Sequence, residues 1–156
     1  MSQEQALPYV DGLVPGTPGP GEVVDALGTP VAKGELRPLR VTRRPVGPND
    51  VQVDVLYTGI CHSDLHFVNN DWGNTVFPCV PGHEIVWRVS AVGDAVSGFA
   101  IGETVAVGPI VDNCGECESC REGLEQYCNG PQGRTEVYNG PNKLGGTNTY
   151  GGCANF

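Results

Sequence analysis

Four cysteines that lie close together constrain this chain more than any other feature of its sequence. Three of them fall in the run 114–120 (CGECESC), and the fourth is Cys128. Four thiolates can complete a tetrahedral shell around one zinc ion, and such a filled shell leaves no position for water or substrate. The spacing therefore predicts a structural zinc that organises a loop. Two disulfides are the alternative, but nothing else in the sequence indicates an oxidising compartment.

A second group of metal-binding side chains lies upstream, in the segments 59–66 (GICHSDLH) and 80–84 (VPGHE). These two segments contain all 3 histidines of the chain. Thiolate, imidazole and carboxylate groups are all zinc ligands, so Cys61, His83 and Glu84 are candidates for a second metal site. A lone histidine is more often an ordinary hydrogen-bonded residue, but the clustering favours a metal. Taken alone, these residues leave hydrolase and dehydrogenase chemistry open.

In this order the motifs resemble the zinc-dependent medium-chain alcohol dehydrogenase family, and in particular its cinnamyl-alcohol-dehydrogenase-like branch. The resemblance extends over about residues 23–156. It implies a mainly β, GroES-like domain, a partly open barrel with short helices and a structural zinc loop. The segments that carry it, besides the four-cysteine run, are 59–66, 77–86, 92–94, 102–105 and 123–128.

The resemblance also implies the ligands of two zinc ions. Cys61 and His83 match ligands of a catalytic zinc. Glu84 matches a carboxylate that lies beside this zinc and can ligate it when the substrate position is empty. The residues that match the structural zinc loop are Cys114, Cys117, Cys120 and Cys128.

Four further residues match functional positions of the family. Ser63 matches the hydroxyl that takes the alcohol proton, and His66 the imidazole that passes it to solvent. Asp64 matches an acid that orients the ligand His83, and His62 a contact to the pyrophosphate of the cofactor. Without the resemblance, Ser63 would be interpreted as a turn hydroxyl and Asp64 as a charge at a helix N-terminus.

The implied function is the reversible conversion of a primary alcohol to its aldehyde with a nicotinamide cofactor, NADP or NAD. The given sequence contains no succession of strand, glycine-rich turn and helix of the kind that forms a dinucleotide-binding domain. We therefore predict that the chain is inactive as this fragment. The alternative is a stand-alone, non-catalytic zinc-binding module. Two departures from the family pattern favour it, because Trp87 replaces a usual glycine and Cys153 a usual tyrosine.

Composition limits the classes of partner. A formal net charge of -9 argues against a nucleic-acid-binding role for the cysteine loop, because phosphates require a basic surface. No apolar stretch approaches the roughly 18 residues that span a membrane, and residues 1–6 (MSQEQA) lack the basic run and apolar core expected of a secretory signal. Small alcohols or aldehydes remain as partners, and free thiols favour the cytoplasm. A homo-oligomer is expected only of an intact longer parent.

The 23 glycines and 13 prolines favour short strands, turns and loops over long helices. We expect a flexible leader over residues 1–21 and a single domain over 22–156. Alternating apolar residues and turn signals predict the elements. They are strands at 39–43, 51–57, 85–92 and 104–107, a short helix at 64–68, and a zinc loop at 112–130 with one helical turn within 115–122.

Overall fold

The computed structural model describes residues 10–11, 22–131, 133–140 and 148–154. Strands and loops dominate these residues, and the helices are short. In chain order the elements are β1 (Val10–Asp11), β2 (Glu22–Gly28), β3 (Arg37–Arg43), β4 (Val51–Gly59), α1 (His62–Asn69), β5 (Glu84–Val92), β6 (Thr104–Val107), β7 (Ile110–Asp112), α2 (Glu118–Arg121), a 3₁₀ turn (Glu125–Tyr127) and β8 (Thr135–Glu136).

The first sheet has the strand order β1-β3-β2. Side chains along a strand point alternately to the two faces of a sheet. Leu39 and Val41 of β3 are fully buried on the inner face of this sheet, whereas Arg40 between them is exposed on the other. The same alternation buries Val24 and Ala26 of β2, a strand that the sequence analysis missed. Together with Val80, Tyr150 and Ala154 these residues form the first core cluster.

The second sheet is antiparallel, with the order β4-β5-β6. Ile85 and Val89 of β5 are buried, and Trp87 between them lies on the same face and packs against the second core cluster. The strands predicted at 51–57, 85–92 and 104–107 are confirmed, with ends that differ by at most two residues. A small third sheet pairs β7 with β8.

The mainly β fold class is confirmed, and the described strands form three separate sheets that do not close into a barrel. The predicted helix is found as α1, and the predicted turn of the zinc loop as α2. Of the predicted leader, only Val10–Asp11 is described, and β1 pairs there in parallel with Leu39 and Arg40. The rest of the leader lies outside the described residues.

The segment 150–154 connects the first sheet to the loop that precedes β5. The Leu27 amide donates to the Cys153 carbonyl (2.7 Å), and the Gly151 amide donates to the Val80 carbonyl (2.9 Å). Arg43 also holds the segment 150–154 on the first sheet, because its guanidinium donates to the carbonyls of Tyr150 (2.9 Å) and Gly151 (3.2 Å). Burial lowers the pKa of Arg43 to about 10, so the group stays charged at neutral pH. The loop that carries His83 is therefore held from the side of the first sheet.

Across the described ranges, no helix is both long enough and apolar enough to cross a membrane.

Candidate metal centres

The pairing of β4 with β5 brings the two segments of the upstream group together. Gly59, at the end of β4, pairs with Glu84, at the start of β5. Cys61 follows β4 and His83 immediately precedes β5, so both lie at the same end of the sheet. One potential ligand atom from each of Cys61, His83 and Glu84 can be chosen so that all three lie within 4.8 Å of one another. This spacing fits a shared ion that leaves room for a further ligand.

Asp64 holds these two segments in place. Its carboxylate accepts hydrogen bonds from the amides of Cys61 (2.9 Å) and Gly82 (3.0 Å), and it lies 3.2 Å from His83 Nδ1. An ionised carboxylate can only accept, so it favours the imidazole tautomer with hydrogen on Nδ1 and a free lone pair on Nε2. Asp64 also lies in the first turn of α1, so the helix-start interpretation and the orienting role are compatible.

The predicted relay residues lie on α1. Ser63 Oγ is 3.7 Å from Cys61 Sγ and lines the same cavity as His83. His66 lies further along the helix, where its Nδ1 is 2.8 Å from Asp71 Oδ2 and its side chain is 37% exposed. No hydrogen bond among the described residues joins Ser63 to His66. His62 contacts His66 edge-on, with ring centroids 4.8 Å apart, and is exposed.

A cavity of about 350 Å³ opens beside this group. One side is aromatic and another is polar, with two amides and the Arg134–Glu136 ion pair, whose N–O distance is 2.7 Å. No motif or periodicity predicted these polar residues, because they come from separate parts of the chain. The lining residues are Ser63, Phe67, Trp72, Asn74, His83, Pro109, Arg134, Glu136, Val137, Tyr138 and Asn139.

The aromatic side of the cavity is a chain of ring contacts. Trp72 meets Phe67 edge-on at 4.9 Å, and Phe67 meets Tyr138 edge-on at 5.0 Å. Tyr138 in turn stacks on His83, with ring centroids 5.7 Å apart and an interplanar angle of 23°. Burial, together with the neighbouring Asp64 carboxylate, raises the pKa of Tyr138 well above its ordinary value, so its hydroxyl stays neutral.

The four downstream cysteines also converge. Their Sγ atoms all lie within 4.8 Å of one another, and those of Cys114 and Cys120 are 3.8 Å apart. A zinc–sulfur tetrahedron with bonds of about 2.3 Å has edges of about 3.8 Å, so the group fits one zinc ion. None of the seven cysteines forms a disulfide in the structure. This convergence of four sulfur atoms on one point favours the metal over two disulfides.

Backbone amides point at the sulfur atoms of this loop. Cys114 Sγ accepts from the amide of Cys117 (3.3 Å), and Cys128 Sγ accepts from the amide of Cys114 (3.4 Å). Hydrogen bonds from the amides of Cys120 and Asn129 lower the pKa of Cys117 to about 6. Burial and the neighbouring thiols raise the pKa of Cys120 to about 12. The loop therefore favours thiolates at some positions, and a cation would compensate the others.

Trp87 and Cys153, the two departures from the family pattern, are accommodated by packing. Trp87 is half-buried against the second core cluster, although its Nε1 has no hydrogen-bond partner within the described ranges. Cys153 packs against the first core cluster and belongs to neither ligand group. Cys79 is buried as well, and burial raises its pKa to about 12.

The sequence model of the alcohol dehydrogenase GroES-like domain matches residues 47–156. The chain belongs to this family. Its similarity to cinnamyl alcohol dehydrogenases and aldehyde reductases confirms the branch that the motifs indicated. The GroES-like match thus includes both candidate metal centres and the residues that line the cavity beside the upstream one.

Three relatives illustrate the similarity. The aldehyde reductase YahK of Escherichia coli is 51% identical over 129 residues, which are 83% of this chain and 36% of the relative. A cinnamyl alcohol dehydrogenase structure from Sorghum bicolor has a TM-score of 0.81 and 41% identity, over 86% of this chain and 37% of that one. A Helicobacter pylori structure complexed with NADP(H) has a TM-score of 0.80 and 34% identity, over 85% of this chain and 38% of that one. The GroES-like chain thus spans little more than a third of these relatives.

Proposed function

We propose that this GroES-like chain is the catalytic domain of a zinc-dependent alcohol dehydrogenase or aldehyde reductase. The enzyme would reversibly convert a primary alcohol to its aldehyde with NADP(H) or NAD(H), in the cytoplasm. The observation that carries the proposal is the group of Cys61, His83 and Glu84, held by a buried Asp64 and opening on a cavity. The similarity to an aldehyde reductase and to an NADP(H)-bound cinnamyl alcohol dehydrogenase supports it.

Cys61, His83 and Glu84 are the residues that would hold the catalytic zinc. A bound zinc would supply Lewis acidity that lowers the pKa of an alcohol in the cavity. Asp64 keeps a nitrogen lone pair of His83 available, since its own hydrogen bond engages Nδ1. The rings of Phe67, Trp72 and Tyr138 make one side of the cavity apolar, which favours a substrate carbon skeleton over water.

Ser63 and His66 are proposed to carry the alcohol proton out of the cavity. Ser63 lies on the cavity wall, where a substrate hydroxyl can reach it. His66 lies at the surface, where the hydrogen bond to Asp71 orients its ring. A hydroxyl inside the cavity and an imidazole at the surface are the kinds of group that such a proton route requires. His62, exposed at the start of α1, is proposed to contact the pyrophosphate of the cofactor.

The non-catalytic alternative gains no support from Trp87 or Cys153. The indole finds space in the second core cluster, and the Cys153 thiol lies outside both ligand groups. The cysteines at 114, 117, 120 and 128 are proposed to bind a second zinc that has only a structural role. The proposal also predicts no turnover by these 156 residues alone, because the described residues offer no dinucleotide-binding unit.

The proposal is tested by counting zinc in this chain and measuring turnover in a longer protein that contains it. Two zinc ions per chain are expected, and Cys61→Ser should remove one of them and abolish oxidation of a primary alcohol. Cys153→Ser is the matched control, because it changes a half-buried cysteine outside both ligand groups. Full turnover by Cys61→Ser would contradict the proposal.

A further inference from the structure

We propose that Tyr138 is a positioning residue for His83, whose imidazole it holds in one orientation by ring stacking. The inference rests on the proposed function, because it concerns the presentation of a candidate metal ligand. No sequence motif pointed to Tyr138, and it belongs to neither ligand group.

The contact between the two rings is built into the fold. The centroids lie 5.7 Å apart at an interplanar angle of 23°, which is within the range of favourable offset stacking. Tyr138 is only 3% exposed, and the His83 side chain is 18% exposed. Neither ring can therefore leave the stack without disturbing packed neighbours.

Asp64 alone leaves the orientation of His83 incompletely fixed. Its hydrogen bond restrains the position of Nδ1 at 3.2 Å, but acceptance at a carboxylate oxygen tolerates a broad range of angles. The last torsion of a histidine side chain is likewise broad. A flat ring against one face of the imidazole removes this freedom, so the stack and the hydrogen bond together define where the other nitrogen points.

Tyr138 is itself held from several sides. Phe67 packs edge-on against its ring at 5.0 Å. The residues on either side are fixed through the backbone, since the Val137 amide donates to the Pro109 carbonyl (2.8 Å) and the Asn139 amide donates to the Thr149 carbonyl (3.0 Å). A residue with these restraints can impose an orientation on its neighbour instead of adapting to it.

The Tyr138 hydroxyl is not needed for this role. It is buried near the Asp64 carboxylate but has no hydrogen-bond partner of regular geometry in the described part of the chain. Removing a buried hydroxyl without a partner costs little, because no hydrogen bond is lost. Tyr138→Phe should therefore preserve the position of His83, whereas Tyr138→Leu, which removes the ring, should not.

The first measurement uses the metal-free chain with labelled histidine. Nitrogen and proton NMR would report the tautomer of His83 and the ring-current shift of its Cε1 proton. The wild type and Tyr138→Phe should show one tautomer, with hydrogen on Nδ1, and a shifted Cε1 proton. Tyr138→Leu should lose the shift, and it should populate both tautomers because the freed ring no longer keeps Nδ1 on the Asp64 carboxylate. Tyr57→Leu is the matched control, since Tyr57 is 74% exposed and takes part in no described ring contact.

The second measurement is the affinity of the upstream site for cobalt(II), followed by its absorption spectrum. Tyr138→Leu should weaken binding by about 10–100-fold, the usual effect of losing a group that supports a ligand. Tyr138→Phe and Tyr57→Leu should bind as the wild type does. If Tyr138→Leu does not fold, Tyr138→Met places a longer and more adaptable side chain in the space without a ring, and the same losses are expected.

The outcomes separate this inference from the proposed function. An unchanged His83 tautomer, ring-current shift and cobalt affinity in the Leu or Met variant would overturn the positioning role. An equal loss in Tyr138→Phe would also overturn it, because the hydroxyl would then be responsible. Failure of the wild type to bind cobalt at the upstream site would overturn the proposed catalytic metal, while NMR of the metal-free chain would still decide the role of Tyr138.

Discussion

At the scale of single residues, Asp64 connects both segments of the candidate catalytic site through one buried carboxylate. An asparagine at this position would place its side-chain NH2 group opposite backbone amides, which are themselves donors. Asp64→Asn should therefore leave a buried donor unsatisfied. We expect a loss of about 1–3 kcal/mol of unfolding free energy and of about 10–100-fold in cobalt(II) affinity. Urea denaturation and cobalt titration would measure the two effects.

Asp54→Asn is the control for this prediction, because Asp54 is an exposed residue of the neighbouring strand β4. The Asp54→Asn substitution should change the free energy of unfolding by no more than about 0.5 kcal/mol, as most surface substitutions do. Equal stability of the two variants would show that Asp64 has no special role. The residues alone indicated only a charge at a helix start, and it was the family resemblance that singled out Asp64, whose bonds to Cys61 and the helix start are local. The resemblance gave no indication of Tyr138, which reaches His83 only through the folded chain.

At the scale of elements, the turn between β3 and β4 depends on Asp50. Its carboxylate accepts from the Gly47 amide (2.6 Å) and from both terminal nitrogens of Arg44. The Arg44 hydrogen bond holds the pKa of Asp50 below its ordinary value. Since the pKa is lower in the folded chain, the stabilisation is fully present above the unfolded pKa of about 3.9 and is lost as the pH falls through the folded pKa.

Asp50→Asn should therefore lower the unfolding free energy at pH 7 by about 1 kcal/mol or less, because the ion pair borders solvent. The difference from the wild type should shrink as the pH falls below about 3.9. Urea denaturation over a series of pH values would measure it. A difference that is independent of pH would refute the contribution of the ionised Asp50, and Asp94→Asn is a control in a neighbouring turn.

Most elements could be predicted because their signals are local. Alternating valines predicted β4, and the short helix α1 follows from its Ser-Asp start. β2 was missed because its apolar residues do not alternate cleanly, since Val23 and Leu27 are exposed, and because part of its burial comes from the distant segment 150–154. Its residues pair with β3 and contact the segment 150–154. The walls of the cavity were missed for the same reason, since long-range contacts assemble them.

At the scale of the whole molecule, the four-cysteine loop is connected to the cavity. Arg134 donates to the Gln126 carbonyl in the loop (3.0 Å) and to Glu136 in the cavity wall (2.7 Å). A zinc ion in the loop would therefore stabilise more than the loop itself, because free energy of binding to the folded chain adds to the free energy of folding. Cys117→Ser should lower the zinc content by one ion and the thermal midpoint by several degrees.

Elemental analysis and thermal unfolding would measure this effect, with Glu122→Gln as an exposed, non-ligating control in the same loop. Because the two ligand groups share no residue, Cys117→Ser should leave the cobalt spectrum of the upstream site in place. Unchanged zinc content and thermal midpoint would contradict a structural zinc. Loss of both metal ions in the variant would instead show that the loop, through Arg134 and β8, is required to assemble the candidate catalytic site.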